Sequence, residues 1–364
     1  MKKTKGKVLL HSPYLDILGG GERHILSILQ VFDRQGYEID LAWNDTSIRD
    51  RIHRDLHIKF KNLNIVDNFF LNSDKISKAY KTSRYDYFFY VTDGSYFISR
   101  ARHNYIFAMY PRKSIYNMKF INRLKLLNFS VISNSEFTAK YVDRWVGKKP
   151  KVIHPYISDD FFALGRNHHR KEKIILTVGR FFEHLHSKRH DVLIEAFIKL
   201  KKRNEYKDYI LVIAGGLKMG EDNDLIAKLR KLVKGRNDIQ IITNVPFKKI
   251  IELYEKASIY WHAAGYGIDE QKEPQRVEHL GITPLEAMAS GCYVFCHNSG
   301  GPKQFIKDGF TGYLYNSIEE LVEKTETIIK HKNLKLLNEA SEFVRDNFSY
   351  DVFEKGVIDF FKIK

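Results

Sequence analysis

Short apolar runs alternate with longer amphipathic stretches along most of the 364-residue chain. In the first half the runs fall at 7–11, 39–43, 85–92, 104–108, 129–133 and 151–154, and the stretches 22–34 and 136–146 carry apolar residues at helical spacing. Strand followed by helix, repeated, predicts an open parallel sheet with helices on both faces. The segment 158–173 breaks the pattern, because Asn167-His168-His169-Arg170-Lys171-Glu172-Lys173 is polar and aperiodic, and it reads as a linker. Beyond it the alternation restarts, with strands at 174–178, 209–214, 239–242, 257–261 and 293–296 and helices at 191–203, 223–233, 246–256, 317–331 and 334–347. The chain therefore reads as α/β: two doubly wound Rossmann-like domains, 1–165 and 166–348, followed by an amphipathic tail at 349–364. Two such domains are expected to face a central cleft, beyond the carboxyl ends of the strands where open α/β sheets bind ligands.

Composition narrows the picture. The only cysteines, Cys292 and Cys296, are too few for a disulfide framework. On one strand they would lie about 13 Å apart, beyond disulfide reach, so both are expected as buried thiols. No run approaches the ~18 apolar residues of a membrane-spanning helix. The apolar stretch Val8-Leu9-Leu10 is cut short by His11, Ser12 and Pro13 and makes a poor signal peptide, so a cytoplasmic location is expected. The net charge of +16 favours an anionic partner: nucleic acid, anionic lipid or a sugar nucleotide. No nucleic-acid recognition motif of the usual kinds appears, which sets nucleic acid aside.

Three stretches carry candidate chemistry. Leu18-Gly19-Gly20-Gly21-Glu22-Arg23 lies between the first strand and the first helix, where glycines let backbone N–H groups approach an anion at a helix N-terminus. Its spacing matches neither the dinucleotide fingerprint nor the P-loop, and a plain tight turn explains the same residues. Gly179-Arg180 ends the first strand of the second domain and Lys188 follows eight residues later; fork and point charge can meet around a diphosphate, or form an ordinary solvated basic loop. In the stretch 278–291, Pro284 suits the first turn of a helix, so Gly281, Ile282 and Thr283 would offer amides to an anion. Glu278 and Glu286, one before the helix and one inside it, can both face the same ligand.

These residues resemble the Glu-x7-Glu signature of retaining glycosyltransferases of family 4, the group 1 glycosyltransferases, and in particular their mannosyltransferase-like members. The resemblance spans nearly the whole chain through Gly19-Gly20-Gly21-Glu22, Ser133-Asn134-Ser135-Glu136, Val152-Ile153-His154-Pro155, Gly179-Arg180 with Lys188, Ala214-Gly215-Gly216, Glu278 to Glu286, and Ser299-Gly300-Gly301-Pro302 with Asp308-Gly309-Phe310-Thr311-Gly312. It implies the GT-B fold, with an acceptor domain first, a nucleotide-sugar donor domain second, and the tail 349–364 packing back on the first. It implies that Arg180 and Lys188 stabilise the departing diphosphate and that Glu278 contacts the transferred sugar. The amides of Gly281, Ile282 and Thr283 would hold phosphate, Glu286 the ribose, and Gly20 and Gly21 would approach the donor. The donor would be GDP- or UDP-linked, with no metal and no other cofactor, and attack would come from the face the leaving phosphate occupies. One position departs from the family: a histidine is common just before Tyr-Pro, and here Met109 precedes Tyr110-Pro111, with His103 too far along the strand to replace it.

Weaker signals remain. Asp222-Asn223-Asp224 has metal-ligand spacing but sits before a helix, where aspartates serve as caps. His168-His169 reads as solvated linker, and His262 either lines the donor pocket or is a packed histidine. Between 100 and 130 there are seven Lys and Arg and no acidic residue. Ile115, Met118, Ile121 and Leu124 recur there every third residue, beside Lys119, Arg123 and Lys125. A basic amphipathic helix on an anionic membrane through 112–129 and an ordinary packed helix both fit. The expected activity is hexose transfer from a nucleotide sugar to a saccharide or lipid-linked acceptor, peripheral on the cytoplasmic face of the membrane, in glycan or cell-surface polysaccharide synthesis. Mannose from GDP-mannose is preferred, and a sugar-nucleotide 2-epimerase or a non-catalytic relative is the alternative.

Overall fold

A computed structural model describes residues 4–116, 118–165, 170–182, 187–217 and 223–363. The chain forms two compact units, Met1–Tyr156 with Asp351–Lys364, and Ile157–Tyr350. The first holds seven parallel strands: β1 (Lys7–His11), β2 (Glu38–Ala42), β3 (Leu63–Val66), β4 (Tyr87–Val91), β5 (His103–Ala108), β6 (Phe129–Ser133) and β7 (Lys151–Val152). Their order is β3-β2-β1-β4-β5-β6-β7, so the direction of winding reverses between β1 and β4. All five residues of β4, Tyr-Phe-Phe-Tyr-Val, are buried, as a strand covered on both faces requires. On one face Phe88 and Tyr90 pack with Leu9, Ile106 and Phe129 beneath Phe70, Phe97 and Leu126.

The other face of this sheet receives the helix Gly20–Arg34 and the last helix, Tyr350–Phe361. The Phe361 ring lies 5.2 Å from Phe32, 5.3 Å from Phe89 and 5.0 Å from Tyr105, and its carbonyl accepts the Tyr87 hydroxyl at 3.2 Å. The final helix is thus part of the first unit's core.

The second unit holds six parallel strands: β8 (Glu172–Val178), β9 (Ile210–Gly215), β10 (Ile239–Thr243), β11 (Ala257–His262), β12 (Tyr293–His297) and β13 (Tyr313–Tyr315). Their order, β10-β9-β8-β11-β12-β13, is that of a dinucleotide-binding sheet, with the reversal between β8 and β11. Helices His190–Leu200 and Ile318–Lys330 help close one face through Leu193, Phe197 and Leu321. Helix Ile282–Ala289 contributes Leu285 and Met288 to the other.

Three expectations are corrected. The units part at 156/157 rather than 165/166, because Asp159–Leu164 is a helix whose Phe161 and Phe162 are buried with Leu176, Tyr254 and Leu285. The linker is accordingly shorter, and β8 already begins at Glu172; His168 and His169 lie outside the described residues. The stretch 112–129 is not one amphipathic helix: Lys113–Tyr116 is a 3-10 turn and Phe120–Lys125 a six-residue helix. Tyr116 is pinned beside Trp145, and Ile115 and Met118 pack against the core, so these apolar positions do not share a face with Ile121 and Leu124. Two short strands escaped the sequence reading. β3 has one fully buried residue of four and β13 has one of three, so neither shows a buried run.

Removing the Phe361 ring leaves a cavity beneath three aromatic neighbours, a change that costs about 3–5 kcal/mol in well-packed cores. Phe361→Ala is expected to lower the first unit's unfolding midpoint in urea and speed hydrogen exchange in β1 and β4, with the exchange of β8 and β11 unaltered.

Candidate functional site

The reversal point of the second unit gathers most of the residues singled out above. β8 ends at Val178, and Gly179 and Arg180 follow at its carboxyl end. A Cβ on Gly215 would lie 1.8 Å from the Gly179 carbonyl oxygen, and one on Gly179 would lie 2.7 Å from Lys188 Cγ. Neither glycine tolerates a side chain, and the Lys188 stem lies along the Gly179 backbone. Lys188 Nζ reaches Glu278 Oε2 at 2.5 Å, and His262 Nε2, at the end of β11, reaches the same oxygen at 3.1 Å. The carboxylate and ammonium side chains are 11% and 15% exposed, so this pair is largely withdrawn from water. The Arg180 guanidinium stacks 5.4 Å from the Phe182 ring and has no carboxylate partner among the described residues.

Glu278 stands in irregular backbone after the 3-10 turn Pro274–Arg276, so hydrogen bonds hold it rather than a helix or strand. Its carbonyl accepts the Gly301 amide at 2.7 Å, and Gly300, at φ +67°, comes so close that a Cβ would lie 2.1 Å from that oxygen. The Gly300 amide in turn donates to Glu270 Oε2 at 2.7 Å, and Lys303 Nζ donates to Glu270 Oε1 at 2.5 Å. Sequence reasoning placed Glu270 in the insertion 265–270, which resembles mannosyltransferase members, but gave it no partner, and it missed Lys303 altogether. Pairs thirty or more residues apart leave no spacing to read.

Gly281 precedes the helix Ile282–Ala289 at φ +100°, a conformation that favours glycine, and its Cα side faces Glu278 Cγ, Pro302 and Phe305. The amides of Ile282 and Thr283 fall in the first turn, where a helix supplies no acceptor, and Pro284 brings no N–H. The Tyr260 hydroxyl bridges Thr283 Oγ1 at 2.8 Å and the Val178 carbonyl at 3.2 Å, tying the helix start to the end of β8. Glu286, one turn in, is buried and accepts the Tyr254 hydroxyl at 3.2 Å. Lys188, Glu278 and Gly281 therefore meet, with Arg180 on the adjoining strand end and Thr283 fixed to that strand.

Gly20 and Gly21 lie in the first unit. The helix there starts at Gly20, and Glu22 closes it by accepting the Gly19 amide at 2.8 Å. A Cβ on Gly21 would lie 2.4 Å from Met109 Sδ, so the methionine thioether sits against the glycine backbone where the resemblance expects an imidazole. His103 is at the opposite end of β5 and stacks on Tyr87 at 5.0 Å. Cys292 and Cys296 are buried free thiols. No cluster of three or more His, Cys, Asp or Glu suited to a metal ion occurs among the described residues; Asp222 lies outside them.

Two doubly wound sheets of Rossmann-like order, the second carrying a basic and carboxylate cluster at its reversal point, define a two-unit α/β protein. The family model for group 1 glycosyl transferases matches residues 161–346, and the chain belongs to that family. A Xenopus tropicalis protein, GDP-Man:Man(3)GlcNAc(2)-PP-Dol alpha-1,2-mannosyltransferase, is 28% identical over 211 residues, which is 55% of this chain and 40% of that protein. The chain thus matches well under half the length of that curated relative. Among solved structures, a glycosyltransferase from Rickettsia africae superposes with a TM-score of 0.73 over 100% of this chain and 98% of its own, at 20% identity. The Anabaena protein HepE, solved with UDP-glucose, superposes at 0.71 over 98% and 99%, at 14% identity. These likenesses establish the GT-B fold.

Burial also sets the site's protonation. It holds the His262 imidazole below its ordinary pKa, and the neighbouring Glu278 carboxylate opposes this only in part. Burial brings His190, whose Nε2 finds no partner among the described residues, down to about 3, and His279 to about 4. In the first unit it brings His24 to about 3 and His11 to about 4. Each of these groups binds a proton in the unfolded chain near pH 6.5 but not in the fold, so stability is full above that pH and falls as pH drops toward the folded values. For His11, His24, His190 and His279 the expected loss is about 1.4 kcal/mol per pH unit each between pH 6.5 and their folded values. Urea midpoints between pH 7.5 and 4.5 should show it, and His24→Phe should flatten the slope.

Proposed function

We propose that the chain is a retaining, metal-independent hexosyltransferase that moves a hexose from a nucleotide sugar to a saccharide or lipid-linked acceptor. The observation that carries this reading is the buried Glu278 carboxylate beside the Lys188 ammonium at the reversal point of a dinucleotide-type sheet. Arg180 and Lys188 supply positive charge where the diphosphate departs, which stabilises the transition state electrostatically. Glu278 accepts hydrogen bonds from sugar hydroxyls, the amides of Gly281, Ile282 and Thr283 bind phosphate, and Glu286 binds the ribose. The acceptor hydroxyl oxygen bonds to the anomeric carbon as the bond to phosphate oxygen breaks, and its proton passes to the leaving phosphate. Attack and departure share one face, so configuration is retained and no protein nucleophile is used.

The names of the mannosyltransferase relatives, with GDP-Man as donor and a PP-Dol-linked acceptor, support GDP-mannose and a lipid-linked acceptor. HepE was solved with UDP-glucose, which keeps UDP-glucose as the second donor to test. Two reduced thiols fit the cytoplasmic face. No described helix is long and apolar enough to cross a membrane.

The surface supports a membrane-borne acceptor. The helix Phe120–Lys125 buries no residue: Phe120 is 77% exposed, Ile121 57% and Leu124 45%, with Leu127 following at 71%. Lys119, Arg123 and Lys125 flank them. The helix Phe69–Asn72 packs on the same sheet face and exposes Leu71, and the helix Lys75–Thr82, whose Lys81 lies over the Phe69 ring, exposes Ile76 and Tyr80 beside Lys75 and Lys78. Exposed apolar side chains with basic residues beside them complement an anionic lipid surface.

In a thermal-shift screen without added metal, GDP is expected to raise Tm above UDP, ADP and dTDP, since a ligand of the native state stabilises it by mass action. Arg180→Ala should weaken that nucleotide's binding about 10- to 100-fold by removing a charged hydrogen-bond donor. No shift with any nucleotide would contradict the donor site. Replacing Lys119, Arg123 and Lys125 together by Gln should reduce sedimentation with phosphatidylserine vesicles about 100-fold, at about 1 kcal/mol per basic residue. Unchanged sedimentation would remove the membrane surface from the account.

A further inference from the structure

The carboxylate of Glu278 has two donors on one oxygen, and they differ in kind. Lys188 is a mobile point charge on a long stem, in the loop before the helix His190–Leu200. His262 is the last residue of β11, and its backbone is locked on both sides: it pairs with Cys296 in the neighbouring strand, and its carbonyl accepts the buried Tyr315 hydroxyl at 2.9 Å. Its imidazole is 2% exposed. A carboxylate only accepts, so the ring nitrogen facing it carries the hydrogen and Nδ1, without a partner among the described residues, does not.

The reading of the site gives Lys188 a second task, the diphosphate. When the ammonium turns to the phosphates, the Glu278 carboxylate needs another donor to stay oriented in a poorly hydrated place. We propose that His262 is a positioning residue that holds Glu278 toward the sugar hydroxyls once Lys188 is engaged by the donor. This rests on the assignment of Glu278 as the sugar-binding carboxylate. A histidine kept only for packing would have no need to place its donor on the one carboxylate that lies beside Lys188. The imidazole also explains why Glu278 keeps its place without a helix or strand of its own: the Gly301 amide fixes its carbonyl and His262 fixes its side chain.

The test is the gain in affinity that the sugar provides, measured by titrating GDP against GDP-mannose and UDP against UDP-glucose into the full chain. The pair with the larger sugar-dependent gain is then followed through the variants. His262→Gln places an amide donor near the position of Nε2 and should keep the gain. His262→Phe has no donor and His262→Asn is too short to reach Glu278, so both should lose about tenfold of it, with affinity for the bare nucleotide unchanged. The contrast between Gln and Asn serves even if the Phe variant does not fold. Equal gains in Gln, Asn and Phe would overturn the positioning role. Glu278→Ala separates the two layers of the argument: if it keeps the full gain, or if neither nucleotide pair shows one in the wild type, the reading of Glu278 fails and the role of His262 falls with it.

Discussion

The arrangement at Glu278 constrains the rest of the second unit. A carboxylate taken out of water is costly unless it is paired and hydrogen-bonded, and losing one partner strands the other. Here the partners come from three elements: Lys188 from the loop before a helix, His262 from the end of β11, and the Gly300-Gly301 backbone beyond β12. To converge on one residue these elements must approach closely, and glycine at 179, 215, 281 and 300 is what permits it, since a side chain at three of the four would collide with backbone or with the Lys188 stem. At Gly281 the requirement comes instead from its positive φ. The glycines and the charged cluster are two aspects of one constraint.

The sheet order supplies the location. Because winding reverses between β8 and β11, the connections leaving those strands go to opposite faces and leave a crevice at their carboxyl ends. Arg180 and His262 are the residues that the two strands deliver there. In the first unit the same reversal occurs, and the last helix is built into its core through Phe361. Met109 against Gly21 is an apolar contact that glycine admits, at the place where the resemblance expects an imidazole.

Much of this was legible in the sequence, for identifiable reasons. The buried parallel strands announced themselves as apolar runs; β4 is buried at every position and β8 over its last five. The βα alternation was therefore readable, whereas β3 and β13, with one fully buried residue each, were not. The helix Asp159–Leu164 was hidden because its six residues are too few to show a period beside a polar stretch. At the site, local motifs such as Gly-Arg and Gly-Ile-Thr-Pro could be read, and the resemblance supplied their roles and the destination of the final helix. What could not be read was which partners meet over long separations: Glu270 with Gly300 and Lys303, and His262, which is buried, with Glu278.

The central claim, that a Glu278-centred site transfers a hexose, is tested most directly by incubating the protein with labelled GDP-mannose or UDP-glucose and a lipid extract from its source. Label entering the organic phase is then compared between wild type and Glu278→Ala. The account predicts transfer from one of the two donors by the wild type, and transfer reduced to background by the variant. Equal transfer by both proteins, or none by the wild type with either donor, would contradict it.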